Sequence, residues 1–135
     1  MAQPVVYVTT IKIKEGKFQE YQRFYAELLK AVEENEPRLI AMHLFANEEG
    51  TEMTNIQVHP DTASMDTHMQ VLAEKMGLLA DDMTAVLQFL EVMRVEVYGT
   101  PGDRAMEMDK RLMEGGVPYT FKQRHVGGHT RSSTG

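Results

Sequence analysis

The chain contains no cysteine, which excludes disulfides, thiolate metal sites, iron–sulfur clusters and cysteine nucleophiles. It also lacks any run of about eighteen apolar residues, the length a membrane-crossing helix needs. Met1-Ala2-Gln3-Pro4 has neither the basic start nor the apolar stretch of a signal peptide, so the expectation is a cytoplasmic protein with no membrane partner. Basic residues are in deficit, 14 against 20 acidic ones, and a nucleic-acid partner would have to bind against the resulting charge of −6. The dinucleotide pattern GxGxxG, the phosphate-loop pattern GxxxxGKS and the serine-hydrolase pattern GxSxG are all missing. What is present suits one ordinary globular domain: 135 residues, 42% hydrophobic and 25% charged.

The charge is uneven. Residues 117–135 hold Lys122, Arg124 and Arg131 and no Asp or Glu, so this segment is basic and the rest of the chain is more acidic than the average. Such asymmetry suits a tail that docks on the acidic body or on a second copy of it.

The β-branched run Val5–Lys14, VVYVTTIKIK, predicts a first strand. From Lys17 the period changes: Phe18, Tyr21, Tyr25, Leu28, Leu29 and Val32 recur at three and four, a helical stripe that Pro37 must end. Leu39–Asn47 and Glu52–Pro60 read as a hairpin around a polar, Gly-containing turn. Asp61 or Thr62 can cap a second helix with Met65, His68, Met69, Leu72 and Met76 on one face and Gly77 at its end. Met83, Val86, Leu87 and Leu90 continue a helical spacing after Asp81-Asp82, and Val92–Tyr98 reads as a fourth strand. Asp103–Glu114 predicts a short helix stopped by Gly115-Gly116. Val117, Tyr119 and Phe121 then alternate in a strand that Pro118 confines to a sheet edge or to pairing outside its own sheet, and from Gly127 the composition is that of a tail.

Strand, helix, strand, strand, helix, strand is the split βαβ order, an α+β antiparallel sheet with its helices on one face. Alternation assigns residues to the two faces. The helix side receives Val5, Tyr7, Thr9, Ile11 and Ile13, with Ile40, Met42, Leu44 and Ala46. From the third and fourth strands it receives Thr54, Ile56 and Val58, and Met93, Val95 and Val97. The open side then carries Val6, Val8, Phe45 and Met53 among His43, Asn55, Gln57, His59, Arg94, Glu96 and Tyr98. A mixed face of this kind suits packing on a second such sheet around a partly hydrated pocket, which predicts a homodimer. A face left to solvent, its charges paired across strands, is the alternative.

The run VVYVTTIKIKEGK from Val5 to Lys17 leads into the Phe18 and Tyr21 helix. With the segment from Asn55 through Val58-His59-Pro60-Asp61 to His68, it resembles the antibiotic biosynthesis monooxygenase family. The resemblance spans roughly residues 4–99. It implies a ferredoxin-like fold over 1–99 that pairs into a dimeric α+β barrel, with 100–135 as a C-terminal helix, edge strand and tail. It also implies cofactor-independent oxygenation of a small aromatic or enolic substrate, and His68 matches a histidine often found on the second helix of the family.

Candidate residues follow from these placements. His68 or His59 is the base, and Asn55, Gln57 or Arg94 the stabiliser of developing negative charge. His43, Phe45, Gln57, Met65, Met69 and Tyr98 are the binding candidates, the methionines as a deformable apolar wall. No metal is expected, because none of His43, His59, His68, His125 and His129 pairs at i,i+4 or HxH spacing within an expected element. No cofactor is expected either. Two further readings stay open: a non-catalytic dimeric protein holding a small apolar ligand, and a structural interaction module without a cavity.

Overall fold

A computed structural model describes residues 3–76 and 91–131. In chain order the elements are β1 (Val5–Lys12), α1 (Phe18–Asn35), β2 (Ala41–Ala46), β3 (Glu52–His59), α2 (Thr62–Met76), β4 (Glu91–Tyr98), α3 (Asp103–Glu114) and β5 (Tyr119–Lys122). The strands form one sheet in the order β2-β3-β1-β4-β5. The first four are antiparallel neighbours and β5 runs parallel to β4. This is the ferredoxin-like α+β arrangement with an added helix and edge strand. The helical spacing over 81–90 and Gly77 lie outside the described residues.

Local chemistry explains each boundary. Tyr21, Tyr25, Leu28 and Val32 are the buried stripe of α1, which stops at Asn35, just before the Glu36-Pro37 step. Asn47 Oδ1 accepts from the N–H of Thr51 (2.9 Å) and of Glu52 (3.1 Å), closing the β2–β3 hairpin, where Gly50 takes φ +69°. Asp61 Oδ1 accepts the Ser64 N–H at 2.9 Å and so caps α2. Pro118, just before β5, lacks an N–H but its carbonyl accepts from Val95 N–H at 3.0 Å, and the strand that follows lies at the sheet edge, where a neighbouring proline is tolerated.

Cross-strand register overturns one face assignment. Tyr7 pairs with Gln57, Val5 with His59, Thr9 with Asn55 and Ile11 with Met53, and directly opposed residues share a face. Met53, Asn55, Gln57 and His59 therefore face the helices, and Thr54, Ile56 and Val58 the open side. For Gln57 and His59 the cause is hydrogen bonding: these buried side chains find partners beneath the helices, so their polarity does not send them to water. Met93, placed with the helices by alternation, is 36% exposed, because the pairing of β1 with β4 shifts between Thr10 and Ile11. Ile40, also assigned to the helix side, is 41% exposed just before β2 begins. The β1 assignments and Val95, Val97, Met42, Leu44 and Ala46 agree with the register.

Candidate active site

Between the sheet and the three described helices lies a cavity of about 130 Å³, comparable to a void of roughly 150 Å³ that accepts benzene. Its walls are mostly apolar: Phe24, Tyr25 and Leu28 from α1, Met65, Met69 and Leu72 from α2, and Ala105, Met108 and Leu112 from α3. Among the described residues polar groups enter at a few points only, namely Thr9, Asn55, Gln57, His68, and the cluster of Tyr7, Asp109 and Tyr119.

His68 is 1% exposed and Glu36 5%. Both carboxylate oxygens of Glu36 lie within 3.0 Å of His68 Nδ1. A carboxylate only accepts, so Nδ1 carries a hydrogen and Nε2 is the nitrogen left for the cavity. Among the described residues Nε2 has no hydrogen-bond partner. A buried carboxylate behind an imidazole fixes its tautomer and stabilises the imidazolium formed when it takes a proton.

His59 is fully buried with its ring centroid 5.5 Å from that of His68. Its Nε2 bonds Gln57 Oε1 at 3.1 Å and its Nδ1 bonds Ser64 Oγ at 2.9 Å. The amide oxygen only accepts, so Nε2–H donates to it and Nδ1 accepts from the Ser64 hydroxyl. Burial, and then the neighbouring His68, push the His59 pKa down to about 4, with Asp61 opposing. His59 is thus a neutral residue that does not line the cavity; it orients Gln57, whose amide nitrogen remains to face a ligand. Asn55 lines the cavity with a buried Oδ1 that has no hydrogen-bond partner among the described residues.

On the third side, Tyr7 donates to Asp109 Oδ2 and Tyr119 to Oδ1, each at 2.7 Å. Burial raises the Asp109 carboxyl above the usual range while the two phenol hydrogen bonds oppose the rise. Burial and the nearby carboxylate also push both phenols up, so they stay protonated.

The structure thus brings together His68, Asn55, Gln57, Met65 and Met69, with His59 directly behind. It separates them from His43, Phe45, Arg94 and Tyr98. Register with Ile56, Thr54, Thr10 and Val6 puts these four on the open face, with the sheet between them and His68. There His43 and Phe45 are ring neighbours at 6.4 Å, and Tyr98 donates to Glu96 Oε2 at 2.5 Å with Lys122 Nζ 5.8 Å from its ring. Glu36, Tyr7, Asp109 and Tyr119 are site residues that sequence reasoning does not single out. A signal exists for two of them: Glu36 continues the stripe Leu28, Val32 at i+4, and Asp109 continues Ala105 at i+4. A carboxylate on a buried stripe needs a partner or a function.

The fold is an α+β one with the architecture of antibiotic biosynthesis monooxygenase structures, as the resemblance in Val5–Lys17 and Asn55–His68 implied. No family model matches the sequence, and no curated protein matches it. Among solved structures, MupZ from Pseudomonas fluorescens is 16% identical, with a TM-score of 0.64 over 96% of this chain and 91% of its own. SnoaB, a cofactor-independent oxygenase from Streptomyces nogalater solved as an asparagine-to-alanine variant, is 17% identical with a TM-score of 0.53. That match covers 75% of this chain and 96% of SnoaB. A Bacteroides thetaiotaomicron protein provisionally assigned as an antibiotic biosynthesis monooxygenase is 18% identical, TM-score 0.53, over 70% of this chain and 85% of its own. At these identities the likeness is one of fold.

Proposed function

We propose that this chain is a cofactor-independent monooxygenase acting on a small, largely apolar enolic or phenolic molecule, and that it works as a homodimer. The observation that carries the reading is the buried Glu36–His68 pair on the wall of an apolar cavity. His68 Nε2 removes the substrate proton and Glu36 holds the imidazolium. Gln57, aimed by His59, offers its amide N–H to the developing oxyanion. The resulting carbanion adds dioxygen, and the peroxide collapses to a carbonyl with loss of water, so a CH₂ group and O₂ become C=O and H₂O. Arg94, also named from sequence as a stabiliser, is not among the residues that line this cavity.

A purely structural module gives no reason for a cavity with a buried base. Binding without turnover is the competing outcome, and the same experiment separates it. Oxygen uptake is followed with a panel of dihydroxynaphthalenes and enolisable aromatic ketones. The expected result is uptake that falls at least ~100-fold in His68→Ala and roughly tenfold in Glu36→Gln. Ligand retained without oxygen uptake would replace this reading with that of a binding protein, and uptake unchanged in His68→Ala would remove His68 as the base.

A further inference from the structure

The cavity holds a second polar pole with no part in the steps above. We propose that Tyr7, Asp109 and Tyr119 hold the oxyanion of a neutral ketone whose α-proton His68 removes, so that the protein enolises such ketones without dioxygen. The proposal rests on the reading of His68 as a base, and it adds an activity that needs no oxidant.

Three features support it. The three side chains come from β1, α3 and β5 and line the same cavity as His68. Asp109 is only 3% exposed, and each of its oxygens is bonded to one phenol. No Lys or Arg is among the described lining residues, and residues 77–90 contain none in sequence. Negative charge on a bound oxygen must therefore be met by neutral donors, and anionic ligands such as phosphates and carboxylates are disfavoured.

A carboxyl kept neutral by an apolar site can serve as such a donor, alone or through a tyrosine. Burial pushes Asp109 in that direction. Once it is protonated, its O–H donates a hydrogen bond to one phenol oxygen, and that phenol turns its own O–H from the carboxyl to the ligand in a mutually polarised chain. The step balances without a co-reactant. His68 Nε2 takes the α-carbon proton, the C–H pair becomes the C=C bond, and the carbonyl π pair moves to the oxygen held by the phenol. Return of the proton to the same carbon gives exchange, and its return to a conjugated carbon gives isomerisation.

The test uses the full chain, anaerobically in D₂O, with 1-tetralone as probe and deuterium at the α-carbon read by mass spectrometry. Wild type is expected to exchange at least ~100-fold faster than buffer, and His68→Ala at the buffer rate. Tyr7→Phe and Asp109→Asn should lose at least ~10-fold in kcat with KM little changed. A second readout is independent of turnover. 2-Naphthol, whose anion mimics an enolate, should bind as naphtholate to wild type and to His68→Ala, and at least ~10-fold more weakly to Tyr7→Phe. Thermal melts establish that each variant is folded. No exchange above buffer in wild type overturns the proposal, as does naphthol binding indifferent to Tyr7→Phe and Asp109→Asn. Because dioxygen is absent, failure here leaves the oxygenase reading standing, and failure of oxygen uptake leaves this one standing.

Discussion

His59 is a buried base with both ring nitrogens engaged, and its burial outweighs the opposing pull of Asp61, so the folded state resists protonating it. An unfolded histidine binds its proton near pH 6.5, whereas in the fold the pKa is about 4. Between these values the unfolded chain holds more protons than the folded one, so stability falls as pH falls. From pH 7 to pH 5 this one group should cost about 2 kcal/mol, a window above most carboxylate titrations. Urea unfolding at those two pH values should show the loss in wild type. His59→Asn should start less stable at pH 7 but lose less over the same interval, by ~1 kcal/mol or more; equal losses would mean that His59 does not carry the effect. The same residue shows how far the site is legible in sequence. His59, His68, Asn55 and Gln57 can be singled out by type. That Gln57 and His59 turn inward cannot, because a polar residue on an alternating strand reads as solvent-facing until its buried partner is known. That partner, Ser64, is five residues away in sequence but across a strand-to-helix turn. Glu36 and Asp109 are readable in principle from their stripe positions, yet their partners His68 and Tyr7 are 32 and 102 residues distant, and only the tertiary fold joins them.

Elements are read more securely than faces, because periodicity is local whereas facing depends on register. The stripe of α1, the hairpin, the Asp61 cap and the edge character of β5 all follow from short-range chemistry. The parallel pairing of β5 beside β4 does not, since it depends on α3 carrying the chain back over the helix-covered face of the sheet. Gly99 is the point where β4 hands over to that crossover. Its φ is +91°, its N–H donates to the Lys122 carbonyl at 2.9 Å, and a Cβ there would lie 2.4 Å from the Pro4 carbonyl oxygen. Backbone cannot yield as a flexible side chain can, so Gly99→Ala combines left-handed strain with a clash. It should destabilise by about 3 kcal/mol or more. Gly16 is the control, with φ +75° and nothing within 4 Å of the place a Cβ would take. Gly16→Ala should cost only the backbone term, about 1 kcal/mol. Thermal melts of the two variants compare them directly, and equal shifts in Tm would show that the close approach to Pro4 is relieved at no cost.

At the scale of the whole molecule the sheet divides two kinds of surface. One face is covered by the helices and holds the cavity. On the other, Val6, Val8, Ile56 and Val58 are only partly buried, Phe45 is 63% exposed, and Thr10 Oγ1 lies 3.0 Å from Thr54 Oγ1 across the strands. An apolar sheet face that its own described elements leave open is expected to find a second copy, and a standard interface buries about 800 Å² per partner. The segment 123–131 is exposed throughout, carries Arg124 and Arg131 without an acidic residue, and belongs to a chain of net charge −6. It therefore has the charge to hold an acidic surface of that copy. Charges placed on the sheet face test the arrangement without touching the cavity, because Phe45 and Ile56 sit on the far side of the sheet from His68. Wild type should behave as a dimer by light scattering coupled to size exclusion. Phe45→Asp with Ile56→Asp buries two unpaired carboxylates in the interface and should weaken association at least ~100-fold, giving a folded monomer. Deletion after Lys122 should weaken the dimer less, and its effect should shrink with added salt because the contact it removes is one of charge. A wild-type monomer, or a doubly substituted chain that still dimerises, would place the assembly surface elsewhere.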